Sequence, residues 1–139
     1  MRILGIDYGD SRVGVAITDP LCITAQGLET IHHNGNDKVV LKRLEEIMQE
    51  YEVETIVIGM PYKLNGDAAD RVEVTERFIH KLKCKFNGVN IETMDERLTT
   101  VAAHKTMNLL EVKKTKKRDI VDTISAAYIL EMYMNKKKA

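Results

Sequence analysis

The stretch from Ile3 to Ile17 constrains the fold more than any other part of the chain. Two apolar runs, Ile3-Leu4-Gly5-Ile6 and Val13-Gly14-Val15-Ala16-Ile17, flank the polar turn Tyr8-Gly9-Asp10-Ser11, which reads as strand, tight turn, strand. The first run is apolar almost throughout, as in a strand covered on both faces, and it ends in a carboxylate, Asp7. Side chains alternate along a strand, so Ile3, Gly5 and Asp7 share one face. Gly5 leaves that face open beside the acid, and Gly14 can do the same on the neighbouring strand. An acid at the exit of a central strand is costly unless something pairs with it. A metal ion is one such partner; the turn's own backbone, capped by the Asp side chain, is the other.

Cys22 to Ile31 continues as a third, antiparallel strand, with Gly27 marking a bulge. Asn34-Gly35-Asn36-Asp37 carries a helix N-cap signal, and apolar residues from Val40 to Tyr51 recur at helical spacing through Glu50. Thr55-Ile56-Val57-Ile58, stopped by Gly59 and Pro61, reads as a buried parallel strand. After a loop over 61–67, a second helix sets Val72, Thr75, Phe78, Ile79, Leu82 and Phe86 on its inner face and stops at Asn87-Gly88. Val89 to Met94 alternates as a half-buried fifth strand. Thr99-Thr100 can start a third helix ending near Leu110. A lysine-rich loop and a final helix from Asp119 to Met134 complete the chain.

This order of elements makes an α/β fold: a five-stranded mixed sheet flanked by helices, with strands 1 to 3 antiparallel and strands 1, 4 and 5 parallel. The 139 residues form one domain on this reading. Open α/β sheets place ligands beyond the carboxyl ends of the parallel strands, where Asp7, the Gly59-Met60-Pro61 turn and Asp95-Glu96 all fall. Asp122 is the third acid. It shares a helical face with Ala126, Ile129 and Tyr133, and the small residues Ser125-Ala126-Ala127 allow a close approach to the sheet. Its alternative role is a first-turn acid favoured by the helix dipole. Three converging acids make a site for a hard divalent cation, Mg²⁺ or Mn²⁺, able to serve phosphodiester cleavage. Alternation admits only one of Asp95 and Glu96 to that site and leaves the choice open.

Formal net charge is zero, but its distribution is uneven. From Val101 onward there are 9 Lys and Arg against 4 Asp and Glu, while the first hundred residues carry 12 against 17. The basic surplus includes Lys113, Lys114, Lys116, Lys117 and Arg118, a run that reads as a solvated face or as a contact for nucleic acid. Arg12 and Arg97 divide in the same way between phosphate contact and structural or solvated roles. The four histidines lack ligand spacing. Two distant cysteines, no apolar run of bilayer length and Arg2 directly after Met1 lead to the expectation of a cytoplasmic protein with no membrane partner.

The blocks Ile3 to Asp19, Gly59 to Gly66, Asp95-Glu96-Arg97-Leu98-Thr99-Thr100, and Asp122 through Ile129-Leu130 resemble, in order, the YqgF (RuvX) family. The resemblance implies a ribonuclease H-like fold with Asp7, Glu96 and Asp122 as metal-binding catalytic acids. It implies a nuclease that matures the 5′ end of small-subunit ribosomal RNA precursor, or else a Holliday-junction resolvase acting on four-way DNA. A nucleic-acid-binding module without turnover is the reading from another class. A resolvase cuts in symmetric pairs and needs a dimer; the sequence leaves monomer or homodimer open. Asp10 stands where members of the family more often carry Thr.

Overall fold

A computed structural model of the chain describes residues 2–61, 69–95 and 114–138. Five strands form one sheet: β1 (Arg2–Tyr8), β2 (Arg12–Thr18), β3 (Ala25–His32), β4 (Val53–Met60) and β5 (Asn90–Asp95). Their order across the sheet is β3-β2-β1-β4-β5. β1 is therefore central, antiparallel to β2 on one side and parallel to β4 on the other. The helices described are α1 (Asp37–Tyr51), α2 (Ala69–Lys85) and α3 (Lys114–Lys138).

Alternation along the strands divides the core between the two faces. One face carries Leu4, Ile6, Tyr8, Val13, Val15, Ile56, Ile58 and Met60, packed with Val40, Leu44 and Ile47 of α1 and Phe78 and Leu82 of α2. The other carries Ala16 and Val57 and packs against Ala126, Ile129, Leu130 and Tyr133 of α3. α3 lies very close to this second face because glycines line it. A Cβ on Gly14 would fall 2.0 Å from the Asp122 carbonyl oxygen, and one on Gly5 would fall 2.5 Å from Leu130 Cγ and 2.8 Å from the Ala126 carbonyl oxygen. Gly27 does the same beneath Thr123.

Most expected elements are present, with shifted ends. The third strand starts at Ala25, not at Cys22. Asp19 Oδ1 accepts from the Ile23 and Thr24 amides at 2.7 Å each, so 19–24 is a side-chain-closed turn, and Cys22 within it has a φ of 56°. The bulge expected at Gly27 is seen: β2 and β3 shift register between Val15/Glu29 and Ala16/Gly27. Asn36 caps α1 by accepting from the Lys38 amide at 3.1 Å. The lysine-rich segment is not a loop in its greater part: α3 begins at Lys114 and runs 25 residues, so Lys114, Lys116, Lys117 and Arg118 belong to its first turns. Lysine and arginine are good helix formers, which the reading by charge alone overlooked. The helix expected from Thr99 to Leu110 lies outside the described residues.

Gly14→Ala should destabilise the fold by about 1–3 kcal/mol or more, since backbone rather than a flexible side chain blocks the added methyl. Urea unfolding measures this, and an unchanged midpoint would contradict the seating of α3.

Candidate active site

Asp7 is the last half-buried position on the α3 face of β1, two residues beyond Gly5. Its Cα partner across the antiparallel ladder is Gly14. Directly opposed residues share a face, so Asp7 lies beside the position where the Asp122 backbone presses onto Gly14. The backbone of Asp122, 115 positions further along the chain, is thus seated on the neighbour of Asp7 at the carboxyl end of the central strand. The sequence pattern expects Asp7 and Asp122 to converge, and the absent side chain at Gly14 is what lets the α3 backbone come this close to the sheet.

Asp95 does not join them. β5 pairs with β4 through Gly59↔Met94 and Met60↔Asp95. Met94 packs with the α3-side cluster and Met60 with the opposite one, so Asp95 belongs to the α1/α2 face. Glu96 and Arg97 lie outside the described residues, as does Lys113; so do the side chains of Lys114, Lys116, Lys117 and Arg118. Among the described residues, no group of three His, Cys, Asp or Glu stands close enough to hold a metal.

The sequence offered Arg12 a phosphate or solvent; the structure pairs it with Asp122. Arg12 Nε donates to Asp122 Oδ2 at 2.8 Å, with the two side chains 31% and 18% exposed. Burial pushes the Asp122 carboxyl above the ordinary carboxylate range, outweighing the opposing pull of Arg12, and the same hydrogen bond raises the Arg12 guanidinium. The charged form of Asp122 is therefore under-compensated even with Arg12 in place. Next to this pair, Thr30 Oγ1 donates to the Asp119 carbonyl oxygen at 2.7 Å, and His32 Nε2 stands 3.3 Å from Asp119 Oδ2. These contacts pin the start of α3 over β2 and β3.

Carboxylates are the donors a hard cation prefers, and an added positive charge would relieve the half-buried Asp122.

Comparison with known proteins places this arrangement. The family model described as RuvX, Holliday junction resolvase, matches residues 1–136. The chain belongs to the RuvX family. Relatives named "Putative pre-16S rRNA nuclease" include one from Ruminiclostridium cellulolyticum, 54% identical over 136 residues (98% of this chain, 95% of the relative). Another, from Acetivibrio thermocellus, is 48% identical over 137 residues (99% and 97%). Among solved structures, RuvC of Thermus thermophilus in complex with a Holliday junction substrate aligns with a TM-score of 0.60 at 14% identity, covering 99% of this chain and 96% of that one. The fowlpox virus Holliday junction resolvase aligns at 0.56 and 13% over the full length of both chains. At those identities the likeness is one of fold: the RuvX chain shares the ribonuclease H-like architecture of the resolvases.

Sequence reading missed the residues that hold the turn after Asp7. His33, one of the four histidines without ligand spacing, is buried, and its Nε2 donates to the Gly9 carbonyl at 2.9 Å while Nδ1 accepts from the Gly35 amide at 3.1 Å. The amide donor at Nδ1 fixes the proton on Nε2. Its own amide donates to the Ser11 carbonyl at 2.9 Å. From the other side, Tyr8 stacks on Phe78 and donates to Asp37 Oδ1 at 2.5 Å, while Lys81 Nζ reaches Asp37 Oδ2 at 2.8 Å. The only sequence signal for these bonds was the polar turn itself, since their partners lie far along the chain.

Because the native pKa of Asp122 is raised, its contribution to stability is complete below the unfolded pKa and is lost as pH rises through the native value. Arg12 limits that loss. Metal-free Arg12→Gln should therefore be more destabilised at pH 7 than at about pH 4, and the NMR-monitored titration of Asp122 should move upward. A downward movement would contradict the electrostatic role of Arg12.

Proposed function

We propose that the chain is a cytoplasmic, metal-dependent nuclease that trims the 5′ end of small-subunit (16S) ribosomal RNA precursor. Asp7, Glu96 and Asp122 are its catalytic, metal-holding acids, with Mg²⁺ or Mn²⁺ as the ion. The observation that carries this reading is the close seating of Asp122 on Gly14, the Cα partner of Asp7 at the carboxyl end of the central strand. Glu96 is the third acid on the family resemblance, and the place of Asp95 on the α1/α2 face is in keeping with that choice. Relatives at 54% and 48% identity bearing the pre-16S name favour the RNA precursor, whereas the resolvases of solved structure are near in fold alone.

When bound, the divalent cation supplies Lewis acidity toward the phosphodiester and a water of lowered pKa. Asp7 and Asp122 would hold it at the carboxyl end of β1, with Glu96 as the third ligand. Arg12 orients the Asp122 carboxylate, the kind of outer contact that governs the affinity of a metal site. Arg97, Lys113, Lys114, Lys116, Lys117 and Arg118 offset phosphate charge along the bound strand.

Purified protein should cut a 5′ precursor fragment in Mg²⁺ or Mn²⁺ and leave a four-way DNA junction intact. Asp7→Asn, Glu96→Gln and Asp122→Asn should each lower the rate by more than the ~10–100-fold typical of outer-shell changes, with unchanged far-UV circular dichroism. Paired cuts in the junction alone would replace the proposal with a dimeric resolvase. Binding of the RNA without cleavage would replace it with a binding module.

A further inference from the structure

At the tip of the β1–β2 hairpin one guanidinium lies outside the acid site. Arg71, near the start of α2, donates through Nη2 to the Tyr8 carbonyl oxygen at 3.2 Å and through Nη1 to the Asp10 carboxylate. Tyr8 directly follows Asp7, so this guanidinium caps the same strand end that carries the candidate metal ligand. The two partners differ in how firmly they are held. Arg71 is 31% exposed and anchored to main chain, whereas the Asp10 side chain is 81% exposed. Exposed ion pairs add little to stability, so the carboxylate can leave at small cost. Asp10 accepts from Nη1 through one oxygen, and a phosphate oxygen is an anionic acceptor of the same kind for that N–H.

We propose that Arg71 is a substrate-binding residue that grips a backbone phosphate of the RNA beside the scissile position. In the free protein Asp10 occupies the guanidinium in the manner of that phosphate. The inference rests on the nuclease reading and extends it to the substrate track. A strand lying over the carboxyl end of β1 passes the tip of the hairpin, where it would meet the negative charge of Asp10 first. Exchange of oxyanions on Arg71 removes the repulsion and turns the tip into an anchor. The hydrogen bond to the Tyr8 carbonyl keeps the guanidinium in place during the exchange. Asp10 thereby sets a threshold: a strand binds well only if one of its phosphates displaces the carboxylate.

The test is RNA binding by fluorescence anisotropy, with the 5′ precursor fragment and all variants built on Asp7→Asn to remove cleavage. Asp10→Asn should tighten binding about threefold, a gain that misfolding does not produce. Arg71→Gln should weaken it about tenfold and reduce the slope of log K against log salt by about 0.7, the value of one single-strand phosphate contact. In the Arg71→Gln background the gain from Asp10→Asn should shrink to near unity. An equal gain in both backgrounds would overturn the proposal, because Asp10 would then act only through its field. An unchanged salt slope in Arg71→Gln would overturn it as well, with the nuclease reading left standing. Absence of RNA binding in the Asp7→Asn parent and in the wild-type chain alike would remove the nuclease reading and this inference together.

Discussion

The contact between the α3 backbone and Gly14 is the constraint on which the rest depends. With only 2.0 Å between a Cβ position and the Asp122 carbonyl oxygen, no other residue type fits at Gly14 without moving the helix. That approach brings Asp122 over the sheet beside the Cα partner of Asp7. Gly5 and Gly27 extend the same narrow channel along β1 and β3, so α3 lies in a groove cut by missing side chains. The core on this face is correspondingly thin, built from Ala16, Val57 and four residues of α3. The large apolar residues lie on the opposite face with α1 and α2, where Tyr8, Phe78 and Leu82 hold the sheet rigid from behind. One face thus provides the mass of the core, and the other provides access to the acids.

Charge is arranged in keeping with that division. Asp122 is buried enough for its ionised form to be disfavoured, and Arg12 relieves it only in part. On the proposed reading, a bound cation would supply the positive charge that Arg12 does not. Around it, the hairpin turn is tied by His33 to the segment before α1 and by Arg71 to α2, so both helices on the far face hold the strand end in register. Elements on the far face of the sheet thus help to position the strand end that carries Asp7.

The architecture was readable because its signals are local. The Asp7 turn, the β-branched run before Gly59 and the helical spacing of Val72 to Phe86 each declare an element within a few residues. Alternation put Asp7 on the face that α3 covers, and the small-residue spacing announced the close approach of α3 to the sheet. They could not decide between Asp95 and Glu96, because the phase of β5 depends on its register with β4, which sequence spacing does not encode. The Arg12–Asp122 pair, the tautomer of His33 and the Arg71 cap all join residues distant in sequence, so nothing in the neighbourhood of either partner announced them. The beginning of α3 was misplaced for a different reason: a run of lysines signals solvent exposure, which a helix surface satisfies as well as a loop does.

The central claim is that Asp7 and Asp122 together form a cation site. The most direct test is anomalous diffraction from crystals grown with Mn²⁺. The account predicts a peak at the carboxyl end of β1 within about 2.0–2.2 Å of oxygens from both residues. Manganese bound elsewhere, with Asp122 still held by Arg12 alone, would contradict it.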